Sequence, residues 1–430
     1  MEMEKEIDFK ITKRHFPRIN NDSVLEFVFE KDPNLFMRKN KIIIRGAIEV
    51  DRNELKRLKF IFEFHRLTRL SGYIIENGFV SKLFSMMNVD IDSQTVSKST
   101  NRYKKNDYLK TDINLRNEFF LGDYIYKLAN FDSSMLQTGF STEGYYDYYN
   151  MNADKLKTEQ FNIRNRRKYG RHEEGTTTRY EFAFSPNAGF LASPDHLPKD
   201  TELKISFDRC PPSIALLEVG SVTNECTKLE IKDCYAVTEY VSSEPLREKF
   251  ATIENIPIEY DFEEVDVMIK NLPLNETDIR FDNIRGGKLP THMFIGLISQ
   301  SALKGDFKLS STCFEAENIN ELNITLNGNS VHGYPMTIKN NSGIYPIQKF
   351  FETTNSMYNE YCGSCLSLMD FDYNFIHSHA FEGEMSNNGW IGVNFKLTTA
   401  PTQPMSIVLW FITENTITID KFHSVERINN

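Results

Sequence analysis

Six cysteines in 430 residues, at 210, 226, 234, 313, 362 and 365, are too few and too unevenly spaced for a disulfide framework. Reduced thiols are the expectation. With 21 glycines and 15 prolines the chain is neither collagen-like nor of low complexity. No apolar run approaches the ~20 residues needed to cross a bilayer, so no membrane span is expected. The opening Met1-Glu-Met-Glu-Lys-Glu6 lacks the apolar segment of a signal peptide. Gly-x-Ser-x-Gly, a phosphate loop and His-Glu-x-x-His are all missing, which leaves nucleophilic, nucleotide and zinc-protease chemistry without a foothold. A net charge of −10 works against polyanion binding, which draws its affinity from clustered Lys and Arg, so specific nucleic-acid binding is not expected.

What is present is apolar material and repetition. The length suggests two or three domains of ~150 residues each, and a 40% hydrophobic share with 33 Phe and 19 Tyr can fill their cores. Asn88-Val-Asp-Ile-Asp-Ser-Gln-Thr-Val96 returns in residue type as Asn323-Ile-Thr-Leu-Asn-Gly-Asn-Ser-Val331. Each copy alternates apolar with polar residues and breaks at a short polar pair, the pattern of a half-buried strand entering a tight hairpin. Upstream, Ile44-Arg-Gly-Ala-Ile48 matches Phe294-Ile-Gly-Leu-Ile298 with Gly46 and Gly296 in register. Both echoes keep their order, so one β unit is predicted twice.

Strand patterns run through both halves: Ser23 to Phe29, a turn at Lys31-Asp-Pro-Asn34, then Lys41 to Val50, Thr201 to Phe207 and Lys228 to Val241. The second half repeats them at Ile256 to Met268, Met293 to Ile298, and a closing pair, Trp390 to Leu397 and Met405 to Ile412. A polar stretch from about Ser97 to Tyr180 is predicted as long surface loops, with helical turns around Leu115 to Leu128. Ser242 to Glu254 has a serine cap, an early proline and Leu246, Phe250 and Ile253 at helical spacing. The fold class expected is all-β, two tandem eight-stranded antiparallel jelly rolls with long loops and a short interdomain helix. The limits set are an N-terminal arm 1–20, a first jelly roll 21–241 with an insertion at 97–180, a linker 242–254, a second jelly roll 255–425 and a tail 426–430.

Candidate chemistry is sparse. Cys362-Gly-Ser-Cys365 has a zinc or redox half-site spacing but no second ligand pair near it. His377-Ser-His379 reads as a loop pair without a carboxylate or third histidine. A carbohydrate-binding or carbohydrate-active β-sandwich is the alternative function, for which Asp261, Glu263 and Glu264 would supply carboxylates, although they sit in a charged run that reads as a solvated strand end. The basic run Arg164, Arg166, Arg167, Lys168 and Arg171 reads as a solvated loop. Neither a metal, a cofactor nor enzymatic activity is expected.

Gly78-Phe-Val-Ser-Lys-Leu-Phe-Ser-Met-Met-Asn-Val-Asp-Ile-Asp92, Leu289-Pro-Thr-His-Met-Phe-Ile-Gly-Leu-Ile298 with Gly305-Asp-Phe-Lys-Leu309, and Asn341-Ser-Gly-Ile-Tyr345 through Ile417-Thr-Ile-Asp420 carry a resemblance. In their order they resemble the major capsid proteins of Polinton (Maverick) elements and adintoviruses, over about residues 23 to 425. The family places Asn-Gly in the first echoed turn where this chain has Asp92-Ser93. The resemblance implies a double jelly-roll shell protein: homotrimers of pseudo-hexagonal outline tile an icosahedral capsid in the virion. Penton and minor capsid proteins are implied partners, with synthesis in the host cytoplasm and assembly there or in the nucleus. A minor capsid component is a further alternative, which the duplicated layout opposes. Tyr145, Tyr146, Tyr148, Tyr149, Arg164, Arg166 and Arg167 are the candidate intersubunit contacts, being of types enriched in protein interfaces.

Overall fold

The computed structural model describes residues 9–51, 72–75, 83–99, 171–174, 177–184, 186, 189–193, 195–219, 229–252, 256–306, 309, 319–331, 333, 335–337, 377–381 and 388–428. The chain divides into two compact units, Met1–Glu264 with Asn415–Asn430, and Val265–Glu414.

Thirteen strands come first in chain order: β1 (Phe9–His15), β2 (Ile19–Asn20), β3 (Val24–Phe29), β4 (Phe36–Asp51), β5 (Gly72–Ile75), β6 (Phe84–Ile91), β7 (Gln94–Ser99), β8 (Arg171–Glu174), β9 (Thr177–Phe184), β10 (His196–Leu197), β11 (Leu203–Arg209), β12 (Leu216–Val219) and β13 (Glu230–Ser242). One sheet runs β1-β13-β4-β9-β8 with β10 on β4, a second runs β2-β3-β11-β6-β7, and β12 pairs with β5. Alternation explains the second sheet. Leu25, Phe27 and Phe29 of β3 are fully buried and stand opposite Phe207, Ile205 and Leu203 of β11. Ile205 and Leu203 in turn face Val89 and Ile91 of β6. Each such side chain gains about 1.5–3 kcal/mol by leaving water. The turn at Lys31-Asp-Pro-Asn34 forms because the Asp32 carboxylate accepts the backbone N–H groups of Asn34 (2.9 Å) and Leu35 (3.0 Å).

Ten strands follow: β14 (Ile258–Asn271), β15 (Asp278–Lys288), β16 (His292–Ser299), β17 (Ile319–Leu326), β18 (Asn329–Ser330), β19 (Met336–Thr337), β20 (His377–Ala380), β21 (Asn388–Leu397), β22 (Met405–Ile419) and β23 (Val425–Ile428). One sheet runs β14-β22-β16-β20 with β23 on β22, and the other β15-β21-β17-β18 with β19 on β17. The core of this unit lies between them, where Met293, Ile295, Leu297, Leu409 and Phe411 of the first sheet meet Ile279, Leu322, Ile324, Val393 and Phe395 of the second. Every residue of β16 is buried, which is why it reads as an unbroken apolar run instead of an alternating one.

The two strand orders are the same. β1-β13-β4-β9 corresponds to β14-β22-β16-β20, and β3-β11-β6-β7 to β15-β21-β17-β18, each member falling at the same place in chain order. Each set of eight antiparallel strands is a jelly roll, so the chain is a double jelly roll. The first echo is the β6–β7 hairpin and its counterpart β17–β18, and the second lies in β4 and β16.

Several expectations change. The closing pair, β21 and β22, parallels β11 and β13 of the first half, and its two strands lie in different sheets instead of side by side. The end of the polar stretch is not loop: β8 and β9 add to β4, with Arg179 opposite Glu49. His377-Ser-His379 is strand β20, hydrogen-bonded to β16, and not a loop. The sheet already begins at Phe9, inside the stretch read as an arm, because β1 pairs with β13 from Phe9↔Ser242 to His15↔Ala236. Short helices are α1 (Pro212–Ala215), α2 (Glu244–Ala251) and α3 (Gln300–Lys304). Helix α2 buries Leu246 and Phe250, and Phe250 stacks on Phe36 at 4.8 Å. Ser243 occupies its N-cap position without a side-chain capping bond. The helical turns expected at Leu115 to Leu128 lie outside the described residues.

Candidate assembly site

The two hairpin tips are built alike. Asp92 and Ser93 have φ of 43° and 69°, and Asn327 and Gly328 have 52° and 83°. Positive φ at both central residues is what a two-residue type I′ hairpin turn demands. Asp92 N–H donates to the Glu202 carbonyl (3.0 Å), and the Asp92 carboxylate accepts the Glu202 N–H (3.3 Å). Asn327 N–H donates to the Trp390 carbonyl (2.9 Å), and the Asn327 carboxamide oxygen accepts the Trp390 N–H (3.0 Å). The Asp92 carboxylate carries two further groups, Lys31 Nζ at 2.7 Å and His423 Nδ1 at 3.0 Å.

His423 belongs to the C-terminal segment, which returns to the first unit. The Asp420 carboxylate accepts the N–H groups of Phe422 (2.9 Å) and Ser424 (2.8 Å), fixing a turn, and Val425 N–H donates to Gln94 Oε1 (2.7 Å). Arg427 pairs with Glu264, which also accepts Asn415 Nδ2 (3.1 Å), and Thr416 Oγ1 donates to Asp261 (2.6 Å). Glu264 is therefore buried and ion-paired instead of solvated, as its charged run suggested. Carboxylates committed in this way to structural partners are poorly placed for acid and base exchange on a sugar.

A buried cation lies deeper in the same unit. Lys39 of β4 is fully buried, and its Nζ donates to the carbonyls of Phe190 (2.7 Å) and Ser193 (3.0 Å) and to Ser193 Oγ (2.7 Å). Ser193 Oγ in turn donates a hydrogen bond to Asp195 (2.8 Å), and the Phe190 ring lies under Lys39 Nζ at 4.5 Å. Burial pulls Lys39 down to about 7, against the Asp195 charge that raises it. Burial, then the Arg38 and Lys249 cations, pull neighbouring His196 down to about 4. Tyr260 donates to the His196 carbonyl at 2.9 Å. No sequence motif marks Lys39. The signal available was Phe36 and Met37 continuing the β4 pattern backwards through it.

The outermost strand of the first sheet carries apolar groups in water. On β1 Phe9 is exposed, as are Phe16 just beyond it and Ile19 of β2 in the second sheet, and Arg14 lies over the Tyr235 ring at 5.1 Å. Tyr145, Tyr146, Tyr148, Tyr149, Arg164, Arg166 and Arg167 lie outside the described residues, as do Cys362 and Cys365. Cys210 and Cys234 form no disulfide, and burial pushes Cys234 up to about 12, the environment of an inert thiol. No metal-binding group of three or more His, Cys, Asp or Glu occurs among the described residues.

No family model and no curated protein matches this sequence. Solved structures do. A chain of the Sputnik virophage cryo-EM structure is similar at a TM-score of 0.58 with 10% identity, covering 98% of this chain and 89% of that one. A chain of the PBCV-1 virus capsid matches at 0.51 with 10% identity, covering 98% and 97%. The mavirus major capsid protein matches at 0.51 with 10% identity, covering 97% and 90%. At these identities the likeness establishes the double jelly-roll fold over nearly the whole chain.

Proposed function

We propose that this chain is a major capsid protein, associating as homotrimers of pseudo-hexagonal outline that tile an icosahedral viral or virus-like shell. The observation that carries the reading is the shared strand order of the two jelly rolls. Two like domains per chain give three chains six nearly equivalent edges, so hexagonal packing follows from one gene product. Similarity to capsid structures along almost the full length of the chain supports the role. Within it, the Polinton and adintovirus lineage is the proposed context, and a penton protein and minor capsid proteins are the proposed partners. The Tyr145 to Arg167 candidates are proposed to contact neighbouring subunits. The place of action is then the virion shell. Native mass measurement of the purified chain tests this: a species three times the 50.0 kDa chain mass, or larger particles, is expected. A strict monomer at high concentration overturns it.

A further inference from the structure

The two sheets that match in strand order differ in burial. On the side of β16 and β22 that alternation turns away from the core, Phe294, Ile298, Val408, Trp410 and Ile412 are each no more than 1% exposed. In the second jelly roll that face is closed within the single chain.

The corresponding face of the first jelly roll is not. His15 turns toward the other sheet, where its ring meets Phe29 of β3 at 4.8 Å, so its neighbour Arg14 points outward. Arg14 stands opposite Val237, which in turn stands opposite Ile43, and Tyr235 stands opposite Arg45. These five residues share the outward face. Arg14 and Arg45 are exposed, and Ile43, Tyr235 and Val237 are half-buried. Phe16, just beyond β1, is 72% exposed, with its ring 6.4 Å from that of Tyr235. Toward helix α2 the same face is occupied, since Phe36 stacks on Phe250 and Glu239 takes both Lys10 and Arg38. Contact with water accounts for the two arginines. It does not account for Phe16, Ile43 and Val237, whose apolar surface is better placed out of water. Arginine beside aromatic and aliphatic groups is the composition of an interface centre.

We propose that this face, with Phe16, Tyr235 and Arg45 at its centre, packs against a second copy of this chain. The inference rests on the homotrimer reading above, in which a face closed within the chain for one domain falls, for its twin, at the boundary between chains. Three such boundaries complete a trimer. Charge favours the same occupant. The face presents Arg14 and Arg45, and a chain of net charge −10 brings carboxylates that accept from guanidinium groups.

In the full-length protein, Arg45→Glu is expected to weaken association in sedimentation at least about tenfold, and Val237→Lys to do the same. Arg280→Glu, at a position 67% exposed on the other jelly roll, is expected to leave it unchanged. Urea midpoints establish that each variant is folded. Hydroxyl-radical footprinting of the native protein is a second measurement that needs no variant. In the associated species Phe16 is expected to be protected about fivefold relative to the urea-unfolded chain, because an interface centre excludes water. Native-strength association of a folded Arg45→Glu, or a Phe16 that reacts freely in a native trimer, overturns the proposal and leaves the trimer reading standing. A native pair of chains with Phe16 protected upholds this face and overturns the trimer. A native chain that stays monomeric at high concentration overturns both.

Discussion

Asp92 and Asn327 occupy the same position in two separate hairpins and make the same reciprocal pair of bonds, one to Glu202 and the other to Trp390. The partners are equivalent too, since Glu202 immediately precedes β11 and Trp390 lies near the start of β21, its counterpart. Asn and Asp suit this position because each tolerates positive φ and carries an oxygen that can return a bond to the backbone. Asp92→Asn keeps that bond and loses the ion pair with Lys31, so a loss under about 1 kcal/mol is expected. Asp92→Ala and Asn327→Ala leave a backbone N–H without its acceptor and should each cost about 1–3 kcal/mol. Urea midpoints of the four proteins check the order.

Ser93 holds φ of 69° where its counterpart is Gly328. Ser93→Gly relieves left-handed strain that exceeds the added chain entropy of glycine, and should raise stability by about 0.5–1 kcal/mol. A lower urea midpoint would contradict the turn geometry.

Gly392 of β21 faces Thr325 across the ladder. A Cβ there would sit 2.5 Å from Thr325 Oγ1 and 2.7 Å from the Asp282 carbonyl oxygen, which is backbone and cannot swing away. Gly392→Ala should therefore destabilise the second jelly roll by about 2–4 kcal/mol, an overpacking cost with strand displacement. Gly286→Ala meets nothing nearer than 3.7 Å and should be near neutral. Thermal unfolding of the pair separates these outcomes.

Stability should depend on pH with a defined sign. His196, lowered from 6.5 to about 4, and Lys39, lowered from 10.5 to about 7, are both neutral in the native state over ranges where the unfolded chain is protonated. The unfolded state then binds more protons, so stability rises with pH from about 4 to 6.5 and again above about 7. Burial of Cys234 and Tyr240, each pushed up to about 12 from 9.0 and 10.0, opposes the Lys39 rise from about pH 9 and turns the slope downward above about 10. Lys39→Met should flatten the rise between pH 7 and 9, which amounts to at most about 1.4 kcal/mol per unit. Urea titrations under reducing conditions at pH 5, 7 and 9, roughly spanning these ranges, test it.

Strands with one wet face were legible: β3 and β11 alternate because water and core divide their residues. The duplicated hairpin was legible for the same reason, as its turn restricts which residues fit. β1 was not, since Lys10, Lys13, Arg14 and His15 give this strand the composition of a loop. Nor was the separation of β21 from β22 into different sheets, because pairing between distant strands leaves no local mark. Glu264 read as a solvated charge and Lys39 carried no signal, and only the fold reveals Arg427 beside one and three oxygens around the other.

Class averages from electron microscopy of the smallest stable species of the purified chain test the central claim most directly. The account predicts a particle with three-fold symmetry and six lobes, one per jelly roll. A two-lobed single chain that persists at high concentration would contradict it.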